Sequence, residues 1–222
     1  MDVSNEQVGR ALLSLAAFVL SVTFHEFGHA FVADRFGDRL PRIEGRVTLS
    51  PFKHIDPFGT IVVPLLGVFM SGVPFIAWGK PVRTNPSAMT RGFSIRVNNL
   101  LVSVAGPAMN LLVAIAVSVL LVLGTKSGLV GHDVAMGVIE FVVVLNINLM
   151  YFNMLPVPPL DGSAMLEMLM PQRWQRVLTP LYKYGGVLIM LLFISGLGSI
   201  LMYPARRLGL AWARVLIGYV PE

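Results

Sequence analysis

The feature that most constrains this chain is the apolar run 11–33, which carries the sequence HEFGH at positions 25–29. A run of this length fits a helix that crosses a lipid bilayer. Residues four positions apart share one face of a helix, so His25 and His29 lie one turn from each other. A charged group near the centre of such a helix costs roughly 2.5–3.5 kcal/mol. We therefore expect these ionisable side chains to have a chemical role.

The composition places the chain among membrane proteins. Hydrophobic residues make up 55% of it, charged residues only 13%, and the mean hydropathy is +0.73. The absence of cysteine excludes a disulfide scaffold and any cysteine metal ligand. The net charge is +5, but the basic residues lie in loops between apolar runs. Nucleic-acid binding is therefore not expected.

Four apolar runs are long enough to span a bilayer. They are residues 9–33, 97–123, 134–154 and 185–204. A further run, 59–77, is interrupted by prolines and glycines, which break or kink helices. The stretch 207–220 is too short to span comfortably, and we expect it at the membrane interface.

Basic residues predict the topology of these runs. Loop 34–57 carries five Lys or Arg residues, loop 78–96 carries four, and segment 161–184 carries three. We expect these three segments to be cytoplasmic. Run 59–77 must then enter the membrane and return to the same side, which its broken sequence suits if protein shields the backbone.

The spacing of the two histidines allows both imidazoles to reach one zinc ion, while Glu26 can take a proton from an activated water. A third ligand is needed, and the next sequence that offers a candidate side chain is NMLPVPPLDG at 153–162. A re-entrant run 59–77 puts its Asp161 on the same side of the membrane as His25 and His29.

Three sequences in this order, HEFGH, SVAGPAMN (103–110) and NMLPVPPLDG (153–162), resemble the site-2 protease family of intramembrane zinc metalloproteases. LSPFKHIDPFGT (49–60) and WGKPV (78–82) are similar to the compact bacterial members. The resemblance covers roughly residues 10–170.

The resemblance implies one zinc ion per chain, bound by His25, His29 and Asp161. It implies that Glu26 is the general base, that Asn110 assists at the oxyanion and that His54 supports catalysis near the metal. The implied activity is cleavage of membrane-spanning segments of other proteins, as in regulated intramembrane proteolysis.

Because a membrane helix hides its peptide bonds in its own hydrogen bonds, a substrate must unwind before it is cut. An exposed strand edge would bind the unwound segment as an extended strand. Residues 42–50 alternate polar and apolar positions around a glycine, which predicts a β-hairpin with such an edge.

The expected architecture is an all-α polytopic membrane protein with about four spanning helices, a re-entrant segment and a small cytoplasmic-side β-hairpin. Residues 1–222 form one domain, with a catalytic core at about 9–170, and a last span and interfacial helix within 171–222. We expect it in a bacterial cell membrane with its active site toward the cytoplasm. A proton or ion transporter and an inactive zinc-bound scaffold remain as alternatives.

Overall fold

The computed structural model describes residues 5–64, 77–171 and 175–220. Within these residues the regular secondary structure is entirely helical. The α-helices are α1 (Asn5–Arg35), α2 (Leu40–Ile43), α3 (Ile95–Lys126), α4 (His132–Val138), α5 (Leu145–Asn153), α6 (Ser163–Leu169), α7 (Gln175–Ile194), α8 (Leu197–Leu201) and α9 (Tyr203–Ile217). Short 3₁₀ turns lie at Pro51–Lys53 and Pro86–Ala88, and π-helical segments at Pro57–Val62 and Ile139–Val144.

Among the described residues, three helices are long and apolar enough to cross a membrane: Val8–Arg35, Ile95–Lys126 and His132–Asn153. They match the first three predicted spans. The third consists of α4, the π-helical segment and α5 in direct succession.

The predicted fourth span, 185–204, is wrong as a continuous helix, and the structure does not confirm a count of four. Helix α7 ends at Ile194, and α8 begins at Leu197. Between them Gly196 has φ +84°, a left-handed conformation that glycine adopts readily and that ends helices.

The prediction of a β-hairpin at 42–50 is also wrong. Helix α2, with a proline in its first turn, is followed by successive turns, in which the Arg46 N–H donates to the Pro41 carbonyl at 2.8 Å. The Arg46 side chain is only 3% exposed, and its guanidinium donates to the carbonyl oxygens of Lys53 and Lys80. The alternation failed as a strand signal because this charge is buried and bonded to two loops rather than facing water.

The ends of the predicted re-entrant run 59–77 lie together. The Trp78 N–H donates to the Gly59 carbonyl at 3.1 Å, and the Thr60 hydroxyl donates to the Trp78 carbonyl at 2.7 Å. A Cβ on Gly59 would lie 2.1 Å from the Trp78 ring, so this approach requires glycine. Residues 65–76 are outside the described residues. The re-entrant course predicted between these ends stays a prediction.

Helices α1 and α3 pack closely because small residues face each other. A Cβ on Gly28 would lie 2.6 Å from the Ala105 carbonyl oxygen, so only glycine permits this approach. Beyond this contact, α3, the third span and α9 share an apolar cluster. Its buried members are Ala114, Leu121, Ala135, Ile139, Val143, Ile147, Ala213, Leu216 and Val220. The position of α9 relative to the membrane interface stays a prediction.

Candidate metal centre

His25 and His29 of α1 meet Asp161, which follows α5. The two histidine Nε2 atoms are 3.1 Å apart. Asp161 Oδ2 lies 3.1 Å from His25 Nε2, and Asp161 Oδ1 lies 3.4 Å from His29 Nε2. One ligand atom from each of the three residues lies within 4.8 Å of the others. Both histidines are buried, whereas the Asp161 side chain keeps 22% of its surface exposed.

A tight turn after α5 brings Asp161 to the histidines. The Gly162 N–H donates to the Asn153 carbonyl at 2.6 Å, and the Leu160 N–H donates to the Val157 carbonyl at 2.9 Å. A Cβ on Gly162 would lie 2.3 Å from the Met154 carbonyl oxygen, so a larger residue would open the turn. The chain therefore folds back onto the end of α5.

The hydrogen bonds of the two imidazoles define where their protons lie. His29 Nδ1 is 2.7 Å from the Val102 carbonyl oxygen, which can only accept, so Nδ1 donates. His25 Nδ1 is 2.6 Å from Asn110 Oδ1 and donates to it. A neutral ring with its proton on Nδ1 presents an unprotonated Nε2, with its lone pair, to Asp161.

With both rings neutral, three electron-pair donors converge at this point. Asp161 Oδ2 is buried and accepts no hydrogen bond within the described part of the chain. Such an arrangement is unfavourable unless a cation binds it, and two imidazole nitrogens with one carboxylate oxygen fit zinc. A Cβ on Gly106 would lie 2.3 Å from His29 Nε2 and 2.7 Å from His25 Nε2, so this glycine leaves the space that an ion needs.

Glu26 is held by contacts that the sequence did not predict. Its Oε2 accepts the backbone N–H of Val82 at 2.8 Å and lies 3.9 Å from an Arg46 guanidinium nitrogen. Glu26 is 9% exposed, next to the histidine pair on α1. The WGKPV sequence could have pointed to Val82, but the predicted hairpin gave no reason to bury Arg46.

Asn110 lies behind His25 and is fully buried. Its Oδ1 accepts from His25, while its Nδ2 donates to Asn146 Oδ1 at 2.8 Å and to the Ser21 carbonyl at 3.2 Å. Both amide hydrogens thus have acceptors within the helix bundle. A role of Asn110 at the oxyanion stays a prediction.

His54 is buried but is not one of the three converging residues. Its Nε2 lies 2.9 Å from the Thr48 carbonyl oxygen and therefore donates to it, and its own carbonyl accepts the Lys80 N–H at 2.8 Å. Burial lowers the pKa of His54 below its ordinary value, and the charge of Arg46 lowers the pKa further, which keeps the ring neutral. Its catalytic role stays a prediction.

Comparison with known proteins identifies the family. Residues 13–197 match peptidase family M50. "Putative zinc metalloprotease YwhC" of Bacillus subtilis is 36% identical over 195 residues, which cover 86% of this chain and 84% of that protein. "Putative zinc metalloprotease Rip2" of Mycolicibacterium smegmatis is 32% identical over 190 residues, 85% of this chain and 69% of that protein. The protein of the same name from Mycobacterium tuberculosis H37Rv is 31% identical over 188 residues, which cover 84% of this chain and 68% of that protein. No solved structure matches significantly.

The chain therefore belongs to peptidase family M50, which confirms the resemblance to the site-2 proteases. Family membership and the apolar helices together define a membrane-embedded protein of a metalloprotease family.

Proposed function

We propose that this protein is a zinc-dependent endopeptidase that cleaves membrane-spanning segments of other proteins. The observation that carries the proposal is the convergence of three acceptor atoms, from His25, His29 and Asp161. Glu26 directly follows His25 in the chain. These three side chains would bind one zinc ion per chain. The match to family M50 supports the same assignment.

A zinc ion held there would supply Lewis-acid chemistry, lowering the pKa of water and polarising the carbonyl of a peptide. Glu26 takes the proton of the attacking water and returns it to the leaving amine. The Val82 N–H holds one oxygen of the Glu26 carboxylate in place, so the proton acceptor has a defined orientation. Asn110 at the oxyanion and His54 as a supporting residue remain parts of this proposal, and the oxyanion role requires Asn110 Nδ2 to exchange its bond to Asn146 or to the Ser21 carbonyl for the substrate.

The substrate is a transmembrane protein whose helix unwinds and binds in extended form. The hairpin that was to supply the strand edge is missing, but residues 77–85 lack regular secondary structure and pass Glu26 at Val82. Backbone groups of such a segment can pair with an extended peptide. The basic loops and the bacterial relatives support a cell membrane with the active site toward the cytoplasm, as regulated intramembrane proteolysis would require.

The substitution Glu26→Gln tests the proposal. We expect the variant to retain one zinc ion per chain and to cleave at least about 100-fold more slowly, because it cannot accept the proton. Single-span proteins should accumulate in membranes that carry this variant, as measured by membrane proteomics against wild type. Glu140→Gln, which changes an exposed glutamate of the third span, is the matched control and should cleave normally.

Other outcomes distinguish the alternatives. Equal cleavage by wild type and Glu26→Gln would contradict the mechanism. Zinc binding without cleavage by either form would favour the inactive scaffold, and cation flux without bound zinc would favour a transporter. A folded wild-type chain that binds no zinc would overturn the metal site itself.

A further inference from the structure

A chain of hydrogen-bonded polar side chains lies behind His25, within otherwise apolar helices. It contains Ser21 of α1, Asn110 of α3 and Asn146 of α5, which are between 0% and 1% exposed. Asn146 Nδ2 donates to Ser21 Oγ at 2.8 Å, and Asn110 Nδ2 donates to Asn146 Oδ1 at 2.8 Å. The three side chains thus join all three candidate spans at the level of the metal centre.

Backbone carbonyls determine which way each amide points. Asn146 Nδ2 also donates to the Val142 carbonyl at 2.8 Å, and a carbonyl oxygen can only accept. This leaves Asn146 Oδ1 facing Asn110, which must then present its own Nδ2. The Ser21 carbonyl, 3.2 Å from Asn110 Nδ2, requires the same orientation.

The orientation of Asn110 has a direct effect on His25. With its Nδ2 engaged, Asn110 turns Oδ1 toward His25 Nδ1, which must carry the proton. The lone pair of His25 is then on Nε2, the atom that faces His29 and Asp161. His29 needs no such support because the Val102 carbonyl performs the same task directly.

We infer that Asn146 is a positioning residue for the metal centre, acting through Asn110 to hold His25 as an Nε2 ligand. This inference rests on the proposed zinc site. Partners of this kind fix the tautomer and ring orientation of ligating histidines, and their loss typically weakens metal binding 10- to 100-fold. A merely structural Asn146 would instead contribute to helix packing, independently of Asn110.

A double-mutant cycle separates the two roles. Zinc affinity is measured by competition with a chelator on the purified full chain for wild type, Asn146→Ala, Asn110→Ala and the double variant. We expect losses of about tenfold for Asn146→Ala and 10- to 100-fold for Asn110→Ala. The double variant should bind zinc as Asn110→Ala does, because Asn146 acts through Asn110. The free energy of unfolding of each metal-free variant, compared with that of metal-free wild type, shows whether helix packing has changed.

Two serines provide a matched pair of milder variants. Ser21 and Ser118 are both buried, and each hydroxyl donates to the carbonyl four residues earlier, at 2.7 and 2.6 Å. Ser21 accepts from Asn146, whereas Ser118 accepts from Trp212 Nε1 at 3.1 Å. We expect Ser21→Ala to weaken zinc binding several-fold and Ser118→Ala to leave it unchanged.

Unchanged zinc affinity in Asn146→Ala would overturn the inference. So would a loss of zinc affinity from Asn146→Ala that is equally large in wild type and in Asn110→Ala. If Asn146→Ala does not fold, equal zinc affinity of Ser21→Ala and Ser118→Ala overturns it. Each of these results leaves the proposed function intact when wild type binds zinc and His25→Ala does not. A wild type that binds no zinc would defeat both.

Discussion

The two halves of the three candidate spans bury polar groups in different ways. In the site half, comprising residues 17–35, 95–112 and 145–153, the buried side chains of His25, Asn110 and Asn146 bond from one helix to another, although Thr23 donates to its own helix. In the far half, comprising residues 113–126 and 132–144, Ser118 and Thr125 donate to carbonyls of their own helix, and Ser118 also accepts from Trp212 Nε1 of α9. The buried apolar residues of the far half, such as Leu121 and Val143, belong to one cluster.

This difference indicates where each half obtains its specificity. A hydroxyl that bonds to its own helix is satisfied before the helices meet, so it places little constraint on their packing. A side chain that bonds across helices needs a partner at one distance and in one direction. Helix packing in the site half therefore depends on the identity of individual polar side chains. Helix packing in the far half depends on the volume and shape of the apolar side chains.

The largest effect is expected from a single methyl group at the metal centre. The change Gly106→Ala places a Cβ 2.3 Å from His29 Nε2, in the space that the ion would occupy. We expect zinc affinity to fall by more than about 100-fold, beyond the loss typical of a supporting residue. Equilibrium zinc binding of the purified chain measures this.

The matched far-half variant is Gly124→Ala. Its Cβ would meet Val130 Cγ2 at 2.7 Å, the end of a side chain that can move. Zinc affinity should stay at the wild-type value, with at most a small change in stability. If both alanines weakened zinc binding equally, the two halves would not differ as described.

Much of the site half could be predicted from the sequence because its chemistry is local. His25 and His29 share a helical face by spacing alone, and the charge of the loops predicted that Asp161 lies on the same side of the membrane as both. The space that Gly106 leaves at the two Nε2 atoms was not predictable, because it depends on how deeply α1 and α3 interlock.

The failures arise where tertiary contacts override local pattern. Arg46 has the alternation of an exposed strand residue, but two carbonyls from distant loops bind its guanidinium. The run 185–204 failed for a local reason instead, because Gly196 adopts a positive φ and divides it. The Val82 N–H that binds Glu26 is a backbone group, so the WGKPV motif marks the segment but not this hydrogen bond.

The next effect in size concerns the far half. Leu121 is 5% exposed in the apolar cluster, and Leu121→Ala should lower the free energy of unfolding by about 2–5 kcal/mol through the cavity it leaves. Zinc affinity of the folded protein should not change. Leu120→Ala, at a neighbouring position with 68% exposure, should have little effect on either quantity. Reduced zinc affinity in Leu121→Ala alone would couple the two halves.

A smaller effect is expected from Arg46→Lys, at the edge of the site half. Lysine keeps the charge but loses the planar fork that reaches the carbonyls of Lys53 and Lys80. We expect a loss of about 1.5–3 kcal/mol in stability, the scale of a hydrogen bond to a charged group, and slower cleavage because the loop bearing Val82 is held less firmly.

The control for this variant is Arg42→Lys. Arg42 makes two hydrogen bonds to Asp34, at 2.8 and 2.7 Å, but its side chain is 66% exposed. Thermal unfolding and the cleavage rate should both stay near wild type. Equal losses in the two lysine variants would mean that burial does not distinguish these arginines.

The smallest effect tests whether every contact between helices matters. Arg10 and Glu140 form an ion pair at 2.7 Å between the first and third candidate spans, with side chains 55% and 57% exposed. Exposed pairs contribute about 0.2–1 kcal/mol, so Arg10→Gln, Glu140→Gln and the double variant should each change the free energy of unfolding by less than about 1 kcal/mol. The coupling energy between the two single variants isolates the pair itself. A coupling energy well above 1 kcal/mol would show that an exposed side-chain contact between helices also constrains their packing far from the metal centre. The burial and orientation of hydrogen-bonded side chains would then not explain why packing is more specific in the site half than in the far half.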